Sequence, residues 1–276
     1  MKIGRIGILG MGKMGEALAK GLQSSTDSKL FAIKGTTRSK ESAAEAAKRL
    51  GIECHTDNAK LAAESEVIIL CVKPHQAESV VRSIAPRLSP SKLVISICAS
   101  VTCEQIAAWL AGSSAASVAI IRAMPNTPCL IGEGMTVFSG GANASNAHLE
   151  IAEKIFGTVG RTATVEESLM DGVTGLSGCG PAYIYLIIEA LSEAGVKVGL
   201  PRKTATLLAA QTLMGSAKMV LERGEHPAAL KDEVTTPAGC TIDGLMALEE
   251  GKLRVTLIKA VLAATKRSKS LRDNKI

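Results

Sequence analysis

The segment Arg5-Ile6-Gly7-Ile8-Leu9 has the character of a buried strand and runs without a break into Gly10-Met11-Gly12-Lys13-Met14-Gly15, with a helical stretch from Glu16 to Gln23 behind it. GxGxxG set between a strand and a helix prescribes a strand–turn–helix unit whose turn is made to hold a dinucleotide. The first glycine permits the tight turn, the second lets a pyrophosphate reach the backbone, and the third lets helix and strand pack closely. The helix start supplies N–H donors and a positive dipole for the anion. A competing pattern, Gly7 to Gly12-Lys13, imitates a nucleoside-triphosphate loop but continues with Met14, where magnesium binding needs Ser or Thr. Gly7 would also lie within the strand, so that reading fails.

The rest of the first half repeats the theme. Strands are expected at Lys29–Lys34, Glu66–Val72, Lys92–Ile97 and Ser117–Arg122, with Met135–Ser139 and Arg161–Val165 closing the sheet. Continuous apolar strands separated by helices predict a parallel, doubly wound α/β sheet of Rossmann type, covered on both faces, over residues 1–165. Thr102-Cys103-Glu104-Gln105 has the form of a capping box at a helix start. The end of the second strand reads Gly35-Thr36-Thr37-Arg38-Ser39, with no acid to accept from a ribose 2′-hydroxyl. Arg38 with flanking hydroxyls suits a 2′-phosphate instead, which favours NADPH, with NADH as the lesser possibility.

From about residue 166 to 276 strand signals vanish and an all-helical domain is expected. Pro181 opens a helix through about Ala194, Pro201 opens another running to Gly224, a third follows Gly239 and a fourth spans about Lys252 to Lys269. The run Ala182-Tyr183-Ile184-Tyr185-Leu186-Ile187-Ile188 is apolar on nearly every face and must be buried all round. A domain of this size offers little core for that, so a second chain is expected to cover it, as in an obligate dimer.

Composition excludes several classes. With 46% hydrophobic and 21% charged residues the chain is globular, not disordered. Six aromatic residues are too few for a nucleic-acid binder built on stacking, and part of the net charge of +6 lies in a solvated tail containing Lys266, Arg267, Lys269, Arg272 and Lys275. Seven cysteines without CxxC spacing and four histidines without ligand spacing predict free thiols in a reducing compartment and no metal. No apolar run reaches membrane-span length. Strand signals from Ile3 onward leave no room for a leader, so a cytoplasmic location is expected. The terminal Asn274-Lys275-Ile276 departs from a Ser-Lys-Leu address at two positions and reads as an ordinary terminus.

Two further segments carry chemistry. Arg122-Ala123-Met124-Pro125-Asn126-Thr127-Pro128 follows a strand end, where open α/β sheets hold ligands. Lys231 to Thr241 reads as a hydroxyl-rich turn entering a helix from Ile242 to Glu249. Free N–H groups gathered there suit a carboxylate, the alternative being a well-capped helix.

With these segments, Val72-Lys73-Pro74 and Ser177-Gly178-Cys179-Gly180-Pro181-Ala182-Tyr183, the whole chain resembles the pyrroline-5-carboxylate reductases. The stretch Asp232-Glu233-Val234-Thr235-Thr236-Pro237-Ala238-Gly239-Cys240-Thr241 is similar to the family's signature, departing at Ala238, where glycine is frequent and a positive φ would be disfavoured for alanine, and at Cys240. Cys179 also departs, standing where the family often has serine. The resemblance implies reduction of Δ1-pyrroline-5-carboxylate to L-proline. It implies that Gly10, Met11, Gly12, Met14 and Gly15 hold the pyrophosphate, with Thr37, Arg38 and Ser39 near the 2′-phosphate and Asn58 on the adenosine side. Val72, Lys73, Pro74, Ala99, Met124 and Asn126 would lie along the nicotinamide half. Thr236, Pro237 and Ala238 with the N–H groups of Gly239, Cys240 and Thr241 would bind the substrate carboxylate, and Thr241 would be the catalytic residue, bonded to the ring nitrogen. Interlocked dimers, further assembled into decamers, are implied too. A protonated imine accepts hydride readily, so the protein's part is chiefly positioning. A β-hydroxyacid dehydrogenase reading would need a lysine in the Ala182–Ala194 helix, which has none. A cofactor-binding regulatory protein without turnover is the rival from another class.

Overall fold

The computed structural model describes residues 4–25 and 31–273. Ile3, Lys29, Leu30 and the terminal Asn274-Lys275-Ile276 of the sequence expectations lie outside the described residues. The chain forms two compact units, one of residues 1–179 with 263–276 and the other of residues 180–262.

The first unit contains β1 (Arg5–Leu9), α1 (Lys13–Ser24), β2 (Ala32–Thr36), α2 (Lys40–Leu50), β3 (Glu53–His55), α3 (Asn58–Glu64), β4 (Val67–Leu70), α4 (Pro74–Ile84), β5 (Leu93–Ser96), α5 (Cys103–Leu110), β6 (Ala119–Met124), β7 (Gly134–Gly140), α6 (Asn146–Phe156), β8 (Gly160–Thr164) and the single turn α7 (Met170–Val173). The strands form one sheet in the order β3-β2-β1-β4-β5-β6-β7-β8. All neighbours are parallel except β6 and β7, where Arg122 pairs with Ser139 in antiparallel register. The doubly wound, mostly parallel sheet is the one expected, with a single antiparallel junction. The link from Pro125 to Glu133 holds only a 3₁₀ turn at Thr127–Ile131, and a return without a crossover helix leaves the next strand antiparallel.

Alternation within the strands builds two cores. In β4, Val67 and Ile69 join a cluster with Leu18 and Leu22 of α1 and Ile155 and Phe156 of α6. Ile68 and Leu70 join the opposite cluster with Leu61 of α3, Val81 and Ile84 of α4 and Ile106 of α5. A strand buried on both faces reads as an unbroken apolar run, which is why β4 and β5 were legible in sequence. β2 extends through Thr36 because its ladder with β1 pairs Gly35 with Ile8 and Thr36 with Leu9.

A polar cluster is buried beside this core. Arg122, 3% exposed, lies 3.7 Å from Glu167 and 3.9 Å from Asp171. Asp171, 1% exposed, accepts hydrogen bonds from Ser268 Oγ at 2.7 Å and Arg272 Nη1 at 2.6 Å. The last turns of the chain are thereby tied to the first unit.

The second unit is helical: α8 (Gly180–Lys197), α9 (Arg202–Arg223), α10 (Pro227–Glu233), α11 (Cys240–Glu250) and the start of α12 (Leu253–Asp273). α8 and α9 form a close hairpin, in which a Cβ on Gly195 would sit 2.7 Å from that of Ala205. Gly224, at φ +66°, ends α9 with its N–H on Val220 O. Its N-terminal neighbour Arg223 meets both carboxylate oxygens of Glu233 at 2.7 Å, which holds the end of α9 to α10. The apolar face of α8 is not covered within one chain: Tyr185 is 62% and Leu186 65% exposed.

Candidate functional site

The glycine loop is shaped by contacts that leave its outer side open. Gly10 adopts φ +100°, and a Cβ there would lie 2.8 Å from Cys71 O. The N–H groups of Gly10 and Met11 both donate to Thr36 O, at 3.1 and 2.9 Å. A Cβ on Gly15 would collide with Gly10 O, so the third glycine is what allows α1 to start so close to the strand. Gly12 differs: a Cβ there would meet nothing within 4 Å, and as N-cap of α1 it offers no side-chain acceptor. The first N–H groups of α1 therefore lack an internal partner beside open space. That fits a phosphate group, which would accept from them. Met11 is buried and Met14 half-buried, under and behind the loop.

The end of β2 stands beside this loop. Thr37 Oγ1 donates to Ser39 O at 2.8 Å, and Ser39 Oγ caps α2 by accepting from Ser42 N at 3.2 Å. Arg38 is exposed and forms no ion pair among the described residues. Asn58, the first residue of α3, accepts from Thr36 Oγ1 at 2.6 Å. Thr36 is absent from the sequence-derived set, yet it touches both the glycine loop and Asn58. The hydroxyl-rich run Gly35-Thr36-Thr37-Arg38-Ser39 was the signal that could have found it.

Further along the carboxyl edge of the sheet, Val72 and Lys73 follow β4 and Pro74 begins α4, with Lys73 exposed as its N-cap. Ala99 follows β5 and is half-buried, next to Ser100, a non-glycine residue at φ +61°. Met124 ends β6, its methyl against Gly178. The Asn126 carboxamide is engaged at both ends: Oδ1 accepts from Met135 N at 2.9 Å, and Nδ2 donates to Ser177 O at 3.3 Å. Asn126 thus ties the Met124–Pro128 segment to the Ser177 segment. These residues stand at or just after the carboxyl ends of β1, β2, β3, β4, β5 and β6, where open α/β sheets carry ligands.

All seven cysteines are free. Burial pushes the thiols of Cys71 and Cys98 up, and burial followed by the Glu167 charge takes Cys103 to about 12, so none of the three is a thiolate at neutral pH. His75 is exposed. Among the described residues no cluster of His, Cys, Asp or Glu could hold a metal ion, and no helix is long and apolar enough to cross a membrane.

In the second unit, Lys231 to Glu233 belongs to α10, so the turn expected from Lys231 onward begins only after Glu233. Thr235 Oγ1 donates to Lys231 O at 2.8 Å and closes that helix. The chain then turns through Thr236, Pro237 and Ala238, all exposed, and Ala238 takes φ +57°. The positive φ that alanine disfavours is therefore adopted. Gly239 N donates to Thr236 O at 3.0 Å, and a Cβ on Gly239 would crowd the Thr236 hydroxyl at 2.5 Å. With that N–H engaged, the donors left at the start of α11 include those of Cys240, Thr241 and Ile242, and its N-cap Gly239 supplies no side-chain acceptor. Cys240 is exposed and Thr241 half-buried.

Comparison with known proteins agrees with both halves. Residues 5–100 match the family described as NADP oxidoreductase, coenzyme F420-dependent, and residues 167–271 match that of pyrroline-5-carboxylate reductase dimerisation. The chain is 42% identical to the pyrroline-5-carboxylate reductase of Methanosarcina acetivorans over 268 residues, 97% of each chain. Among solved structures it is similar to the Coxiella burnetii pyrroline-5-carboxylate reductase (TM-score 0.90, 36% identity, 98% of this chain and 99% of that one). It is also similar to the Plasmodium falciparum pyrroline carboxylate reductase with NADP bound (TM-score 0.83, 34% identity, 99% of both). With a conserved-length match to such relatives across both units, the chain belongs to the pyrroline-5-carboxylate reductase family.

Proposed function

We propose that this protein reduces the C=N bond of Δ1-pyrroline-5-carboxylate to L-proline, the final step of proline biosynthesis, using NADPH in preference to NADH. The observation that carries the reading is a pair of helix starts left ready for anions. One is α1 behind Gly12, for the pyrophosphate, and the other is α11 behind Gly239, for the substrate carboxylate. Gly10, Met11, Gly12, Met14 and Gly15 form the pyrophosphate cradle, and the unpaired Arg38 with Thr37 and Ser39 receives the 2′-phosphate. Val72, Lys73, Pro74, Ala99, Met124 and Asn126 line the nicotinamide half, Asn126 by holding the backbone around it.

When bound, NADPH supplies a hydride to the carbon of the imine, whose nitrogen gains its proton from solvent. The turn Thr236-Pro237-Ala238 aims the N–H groups of Cys240 and Thr241 at the carboxylate, and the Thr241 hydroxyl bonds the ring nitrogen. No acid or base with a shifted pKa is required, and positioning supplies the rate. We assign residues 1–165 to cofactor binding and 166–276 to dimerisation and substrate binding, with the dimers assembling into a decamer in the cytoplasm.

Thr241→Ala tests the site. Loss of one hydrogen bond to a charged partner should lower kcat about ten- to a hundredfold while NADPH affinity stays near wild type. Equal losses in both would mean a misfolded turn. Initial rates with NADPH and NADH test the role of Arg38: Arg38→Ala should narrow the preference, and an unchanged ratio would remove Arg38 from the 2′-phosphate site.

A further inference from the structure

The groove between α8 and α9 carries two charges that the chain itself does not use. Tyr185, Leu186 and Ile188 line it from α8 together with Glu189, and Arg202 lines it from α9. Ser192, also in the groove, is 3% exposed, and its hydroxyl donates to Ile188 O at 2.7 Å within its own helix. Glu189 and Arg202 are exposed on the single chain, and neither side chain makes an ion pair or a hydrogen bond among the described residues. Arg223, at the other end of α9, gives the contrast, since it meets Glu233 within the chain. Arg202 is also the first residue of α9, where the helix's own dipole disfavours a cation and favours an acid. Whatever covers the apolar walls must meet these charges as well, because an ion buried without a partner is strongly unfavourable. The dimerisation family matched over residues 167–271 includes every residue of the groove, and a second copy of this chain is the occupant in keeping with it.

We propose that two copies join through this groove with Glu189 of each meeting Arg202 of the partner subunit, and that this reciprocal pair sets the register of the dimer. The proposal rests on the dimer reading given above. In a two-fold dimer a contact from one residue to another is repeated in reverse, so a groove holding one acid and one base is its own complement. Setting like residues opposite each other, glutamate on glutamate or arginine on arginine, would repel. The apolar walls drive association, and the charges choose the alignment, because a slipped one would leave four ions unpaired.

Charge reversal in the full chain, read by sedimentation velocity, provides the test. Glu189→Arg sets arginine against arginine twice, and Arg202→Glu sets glutamate against glutamate twice. Each variant alone should therefore associate about a hundredfold more weakly than wild type. An equimolar mixture of the two restores both opposite-charge pairs. It should form a dimer of one copy each, recognisable by its mass, with affinity within about tenfold of wild type. A pair formed inside one chain could not be restored by mixing. Glu189→Gln and Arg202→Gln disturb the helices least, and the double neutral variant should associate no more weakly than either single one, since each removes the same pair. Reversal variants that stay fully associated, a mixture that stays monomeric, or fully additive losses in the neutral variants would each overturn the proposal. Wild-type protein that is itself monomeric would instead overturn the dimer reading.

Discussion

In β4 every side chain from Val67 to Leu70 is buried, whereas in α8, whose first half is also strongly apolar, Ile184, Tyr185, Leu186 and Leu191 stand exposed on the single chain. The first unit closes both faces of its sheet with its own helices. The second has the apolar residues for a core but, among its described residues, buries only Ser192, Ala205 and Ala209. One unit closes a core of its own and the other leaves its apolar face exposed on the single chain, in keeping with the dimerisation family matched over residues 167–271. The contrast extends to chemistry. The proposed cofactor residues sit at the edge of a sheet buried on both faces, while the proposed substrate turn sits in the unit that leaves its apolar side chains exposed.

The comparison can be broken most forcefully at α8. Leu186→Glu places a charge on the exposed apolar face, and symmetry makes the change count twice. Burial of one leucine contributes about 1.5–3 kcal/mol, so association should weaken by about 3–6 kcal/mol while the first unit stays folded. Sedimentation velocity should then show monomer, and a fully associated variant would place the interface elsewhere. In the first unit, Asp171→Ala leaves Arg122 and Arg272 without their shared carboxylate. Removing one partner from a buried ion pair costs about 3–5 kcal/mol, to be read from denaturant unfolding, and a loss below about 1 kcal/mol would show the cluster to be solvated.

Smaller effects sharpen the picture. Ala238→Gly relieves a left-handed alanine, and after the greater freedom glycine gives the unfolded chain a net gain of about 0.5–1 kcal/mol is expected. A destabilised variant would mean that the turn depends on the alanine methyl. The smallest effect concerns Glu66, whose carboxyl is held below its usual value of 4.5 mainly by the Gly4 N–H, with Arg5 adding to it. A lowered folded-state pKa stabilises above the unfolded value and the benefit fades as pH falls through the folded one. The stability gap between wild type and Glu66→Gln should therefore be full at neutral pH and shrink below about pH 4.5. A gap independent of pH would assign the effect to packing.

Much of this was legible in the chain because it is local. The glycine loop is six consecutive residues, and Pro181, Pro201 and Gly224 mark helix ends by their own backbone limits. What escaped was short or distant. β3 has three residues, Glu53-Cys54-His55, with nothing β-branched among them, and α10 has seven. Strand direction at β7 depends on what the preceding link lacks, not on the strand's own residues. Thr36 meets Asn58 across 22 positions and Arg272 meets Asp171 across 101, contacts that no window along the sequence contains. Of the candidate site, residue types were readable and their engagements were not. Asn126 is occupied at both ends of its amide and the Gly239 N–H is already bonded, so each contributes by holding shape.

The most direct measurement follows NADPH oxidation by the wild-type protein with Δ1-pyrroline-5-carboxylate while L-proline is quantified. One proline formed for each NADPH consumed is the predicted result. NADPH bound but not consumed would contradict the account: the glycine loop would keep its ligand, and the turn from Thr236 to Thr241 would be no more than the start of a helix.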